Sequence, residues 1–117
     1  MNKNKEAALL AAKVLDNKKA QDIVAIDIGV KSSFADYFVL ASGGSERQIS
    51  ALRDEIDNEF AKANIELKGI EGQPSSGWIL MDFGDIIVNL LTVEMRQRYN
   101  IEKVWGDCEF LELDLED

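Results

Sequence analysis

Gly84-Asp85 separates two runs of strand-forming residues, and no other stretch of the chain constrains the fold as tightly. Trp78 to Phe83 comes before the pair and Ile86 to Leu91 follows it. A two-residue connection with glycine first suits a type II′ hairpin turn. Phe83 then pairs with Ile86, Asp82 faces Ile87, Leu80 faces Asn89 and Trp78 faces Leu91. Opposed side chains share a face. Ile79, Met81, Phe83, Ile86, Val88 and Leu90 make a wholly apolar face that other elements have to cover. Trp78, Leu80, Asp82, Ile87, Asn89 and Leu91 make the second face. An aromatic anchor, aliphatic area, an acid and an amide are what a protein-binding patch presents. The same set also reads as a second core face with two polar residues near its edge. A three-residue loop would regroup both sets.

The cover for the apolar face is legible upstream. Ile49, Leu52, Ile56 and Phe60 form one stripe at steps of three and four, with Arg53, Asp54, Asp57, Asn58 and Lys62 opposite. This predicts a helix from Glu46 to Asn64. Ser45 is its N-cap and Gln48 completes a capping box. Ala7, Leu10, Ala11 and Val14 predict another helix over Asn4 to Asp16. Ile23 to Ile28, Asp36 to Ser42 and the alternating Ile65 to Ile70 read as strands. Glu71 to Gly77 reads as a loop. Thr92 is placed to cap a short helix through Tyr99, followed by a helical turn over Ile101 to Trp105. The expected fold class is α/β: one domain with a mixed, mostly five-stranded sheet and helices packed on it. Residues 1–107 make up that domain. Residues 108–117 are an acidic C-terminal tail that reads as an edge strand or a frayed end.

Composition narrows the function classes. The 117-residue chain is 46% apolar, enough for a core without disulfides or metal. It contains no histidine and one cysteine, Cys108. Ser-His-Asp and Cys-His nucleophilic arrangements and the usual zinc sites are therefore excluded, and a reduced cytoplasmic setting is expected. No cofactor is called for. Met1 to Ala12 lack the continuous apolar run of a secretory leader, and no segment approaches the length of a membrane span. The net charge of −9 disfavours extensive contact with a phosphate backbone. It complements a basic protein partner.

Two constellations invite a chemical reading. Gly43-Gly44-Ser45 at a helix start resembles the phosphate-holding turn of nucleotidyltransferases. Those enzymes also need an Asp-x-Asp pair on the next strand for metal-assisted phosphoryl transfer. Here Arg53, Asp54 and Glu55 follow, inside a helix. Asp82 and Asp85 flank a hairpin turn, where aspartate serves the backbone. Asp27 and Asp36 sit at strand ends.

An ordered set of segments resembles one family. The set is Asp36-Tyr37-Phe38-Val39-Leu40-Ala41-Ser42-Gly43, Ser45-Glu46-Arg47-Gln48, Glu71-Gly72, Trp78 to Val88, Arg98-Tyr99 and Glu102-Lys103-Val104-Trp105. Together these are similar to the Iojap family of ribosomal silencing factors, over about Glu6 to Asp107. The resemblance implies a nucleotidyltransferase-like fold without the catalytic acids, and no enzymatic activity. It also implies binding to the fourteenth protein of the large ribosomal subunit, a steric block of subunit joining, and homodimers when free. Trp78, Leu80, Asp82, Asn89, Leu91 and Glu71 become the expected partner-binding residues. At the position of Asn89 the family usually has histidine. The alternative is a nucleotide-binding protein or enzyme using Gly43-Gly44-Ser45.

Overall fold

The computed structural model describes residues 3–115. Its strands are β1 (Gln21–Asp27), β2 (Tyr37–Gly43), β3 (Gly69–Gln73), β4 (Trp78–Asp82), β5 (Ile86–Thr92) and β6 (Glu109–Phe110). They form one sheet in the order β3-β4-β5-β2-β1-β6. The central pair β2 and β5 runs parallel, and the other neighbours run antiparallel. The chain reaches β5 from β2 through a helix and two more strands, the long crossover that a parallel pair requires. Every residue of β2 is buried, as are Ile86 to Leu91 of β5. This explains why both strands are apolar on both faces.

Helices α1 (Lys3–Asn17) and α2 (Glu46–Lys62) cover one face. Their Ala8, Ala11, Leu15, Ile49, Leu52, Ile56 and Phe60 pack with Val39, Ile79, Met81, Phe83, Val88 and Leu90. That is the predicted apolar face of the hairpin. Ser45 Oγ accepts from the Gln48 N–H at 3.1 Å. α2 stops at Lys62 because Asn64 turns left-handed, with φ of 61°, a conformation asparagine tolerates well. On the opposite face a smaller cluster gathers Ile26, Ile28, Phe38, Leu40, Ile87 and Cys108. The 3-10 turn Ile101–Trp105 supplies Ile101 and Trp105 to it.

Two elements differ from the sequence expectation. The third strand lies at Gly69–Gln73 rather than at Ile65 to Ile70. Its partner β4 ends at Asp82, which pairs with Gly69 and whose C=O accepts from the Lys68 N–H at 2.7 Å, so the ladder extends no further back toward Ile65. Ile65 and Leu67 pack on the core without a ladder. The sheet also has six strands rather than five. Glu109 and Phe110 pair with Asp27 and Ile26, the Leu111 N–H donates to Ala25 C=O at 2.8 Å, and Leu111 and Leu113 pack on the main core. Much of the acidic tail is thereby part of the fold. Its final two residues, Glu116 and Asp117, lie outside the described range.

Candidate functional site

The hairpin turn spans two residues. The Phe83 N–H donates to Ile86 C=O at 3.0 Å, and Gly84 takes φ of 90°, the positive value that a primed turn needs at its first central residue. Trp78 pairs with Leu91, Leu80 with Asn89 and Asp82 with Ile87. The row continues on β3, where Gln73 faces Trp78 and Glu71 faces Leu80.

The six expected contact residues divide by exposure. Glu71 is exposed, and Trp78, Leu80 and Asp82 are half-buried. Leu91 has 0% of its surface exposed and Asn89 1%. Neither offers a partner any area, and that corrects their assignment to direct contact. The reason is topological: β5 is a central strand, and side chains on both its faces are enclosed. Asn89 instead acts on Trp78. Its Oδ1 accepts from the indole Nε1–H at 2.9 Å. Facing Oδ1 to the indole leaves Nδ2 without a partner among the described residues, a local cost of about 1–3 kcal/mol. An amide does not ionise, so this anchor does not titrate.

Trp78, Leu80, Glu71, Gly72, Ser76, Met95 and Tyr99 line an open hollow of about 360 Å³. Met95 and Tyr99 come from α3 (Val93–Tyr99). The Tyr99 ring lies 5.3 Å from that of Trp78, and Tyr99 is 51% exposed. One aromatic therefore stands half-sheltered beside another that faces solvent, with Glu71 at the rim. Asp82 lies further along β4, where its Oδ1 accepts from the Gly84 N–H at 2.8 Å. Gly72 shapes the floor. It has φ of 84°, and a Cβ there would meet the Trp78 carbonyl oxygen at 2.1 Å. Gly72→Ala is expected to part β3 from β4 beside Trp78 and to lower stability by about 2–3 kcal/mol, read from the urea midpoint.

Behind α3 lies a part-buried ion pair. Arg96 is 8% exposed. Its Nε donates to Glu102 Oε1 at 2.9 Å and its Nη1 to Ser42 Oγ at 3.1 Å. The Arg96 hydrogen bond holds the Glu102 carboxyl below its ordinary range. The resulting stability is present at neutral pH and is lost as pH falls through that lowered value.

The glycine turn is occupied by its own helix. The Gly44 N–H donates to Gln48 Oε1 at 2.6 Å, and Ser45 Oγ is taken by the Gln48 N–H. Ser42 Oγ is taken by Arg96. The Gly44 N–H and the Ser42 and Ser45 hydroxyls are thus engaged in capping and packing. Among the described residues no group of three or more acids and cysteines is placed to hold a metal ion.

The family model for ribosomal silencing factor during starvation matches residues 1–117. The chain belongs to the ribosomal silencing factor family. It is 37% identical to a ribosomal silencing factor of Halalkalibacterium halodurans over 111 residues, which cover 95% of both chains. It is 38% identical to the Bacillus subtilis factor over 105 residues, 90% of this chain and 89% of that one. A crystal structure from Chromobacterium violaceum superposes with a TM-score of 0.85 at 29% identity, covering 100% of this chain and 94% of the other. The names these relatives carry describe an action on ribosomes and not a reaction.

Tyr99 and Met95 went unrecognised as site residues in the sequence. Their signal was an i, i+4 pair on a seven-residue helix, too short a stretch for periodicity to show which way it faces. Thr92 did reveal the helix start, and its Oγ1 accepts from the Met95 N–H at 3.3 Å.

Proposed function

We propose that this protein binds the large ribosomal subunit through its fourteenth ribosomal protein, sterically blocks subunit joining and so represses translation. The observation that carries this reading is the Trp78–Tyr99 pair over its hollow, with Glu71 at the rim, in a chain of the ribosomal silencing factor family. Aromatic residues set in a half-enclosed apolar site are the usual anchors of protein interfaces. The acidic rim and the net charge of −9 suit a basic partner. Contact runs through Trp78, Leu80, Asp82, Glu71 and Tyr99, with Asn89 and Leu91 supporting from beneath.

The action is steric and stoichiometric. It takes place in the cytoplasm, where the unpaired Cys108 stays reduced, and it needs no cofactor. Free copies pair as homodimers. Phe34, which packs edge-on to Phe38, and Phe110 supply exposed apolar area for that pairing. Phe110 lies at the far edge of the sheet from β3.

The test is sedimentation. Added to separated subunits, the protein is expected to travel with the large subunit and to reduce joined ribosomes in a sucrose gradient. Free sedimentation of the protein, with joining unchanged, refutes the proposal. Asp82→Lys should weaken large-subunit binding about 3- to 10-fold at low salt, mainly through slower association, and the difference should shrink as salt rises. Asp82→Asn keeps an acceptor for the Gly84 N–H, so it separates charge from turn geometry. Equal binding by wild type, Lys and Asn variants removes Asp82 from the contact.

A further inference from the structure

Helix α3 has seven residues, too few to hold a helix by propensity. Its one buried side chain is Arg96. The guanidinium grips two places at once: Glu102 on the turn that follows, and Ser42 on the central strand β2. Ser42 pairs with Leu91, and Leu91 pairs with Trp78. Three residues after Arg96, Tyr99 returns to the Trp78 ring. Trp78, Leu91, Ser42, Arg96 and Tyr99 thus close a ring, in which the Arg96–Ser42 bond ties α3 to the sheet by a charge-assisted hydrogen bond.

We infer that Arg96 is the positioning residue of the contact surface: its bonds to Ser42 and Glu102 hold α3 where Tyr99 shelters Trp78, so the surface is formed before a partner arrives. Arg96 touches no partner itself and acts through Tyr99. A preformed surface spares the ordering cost that binding otherwise meets. The inference rests on the reading of Trp78 as the ribosome contact, but its first test does not need the ribosome.

Trp105→Phe leaves Trp78 as the only tryptophan and serves as the parent. Arg96→Met keeps most of the stem and removes both hydrogen bonds. In the free protein it should raise acrylamide quenching of Trp78 about twofold. Tyr99→Ala should do the same. The double variant should quench no more than either single, because both changes remove one shelter. Large-subunit affinity should fall at least fivefold in Arg96→Met and recover partly in Arg96→Lys. Should Arg96→Met fail to fold, Glu102→Gln is the milder probe, with a smaller rise in the same direction. Quenching unchanged in Arg96→Met or Glu102→Gln overturns the inference, and so does a fully additive double variant. Coupled quenching in a parent that ignores large subunits upholds the positioning role and sinks the contact reading.

Discussion

Phe60→Ala should lower the free energy of unfolding by about 3–5 kcal/mol, the largest stability loss expected of a single substitution here. Phe60 has 0% of its surface exposed. Its ring lies 4.5 Å from that of Phe83, where α2 meets the turn end of the hairpin. Truncation removes the transfer energy of the ring and leaves a cavity between two rigid elements. A domain of this size has about 5–15 kcal/mol in total, so the variant should unfold at markedly lower urea with an unchanged slope. An unchanged midpoint would mean that α2 is not what holds the hairpin's apolar face.

Trp78→Ala should behave in the opposite way. The indole is half-buried, and its Nε1–H donates to Asn89 Oδ1. Its loss leaves the packing of α1 and α2 on the other face intact, so the fold should survive. Large-subunit binding should weaken at least tenfold. Truncating a central aromatic commonly costs about 2 kcal/mol or more, which is about thirtyfold. Co-sedimentation at fixed salt measures it, and cooperative urea unfolding verifies the fold. Unchanged co-sedimentation by a folded variant removes Trp78 from the contact.

How much of this could be read from the chain depended on the range of each signal. The hairpin register was legible because a two-residue glycine turn determines it locally, and strand alternation then assigns every side chain to a face. The α2 stripe was legible for the same reason. Leu91 and Asn89 were misassigned because alternation tells which face a residue occupies and not what lies over that face. Their burial follows from the central place of β5 in the sheet, which depends on contacts between segments distant in sequence. The third strand was misplaced because Ile65 and Leu67 alternate as a strand would, while the length of β4 decides which residues find a ladder. The sixth strand was one of two readings of the alternating tail, and its two residues, Glu109 and Phe110, are too few to choose an edge strand over a frayed end. Arg96 looked like any basic residue of an exposed short helix. Only the fold brings it to Ser42, fifty-four positions earlier in the chain.

We propose that this domain acts by occupying a ribosomal surface and not by handling a nucleotide. A calorimetric titration of the wild-type chain, first with isolated large subunits and then with ATP and magnesium, tests it most directly. Saturable one-to-one binding to the subunits, weakening with salt, and no heat from nucleotide are the expected results. Nucleotide binding without subunit binding would contradict it.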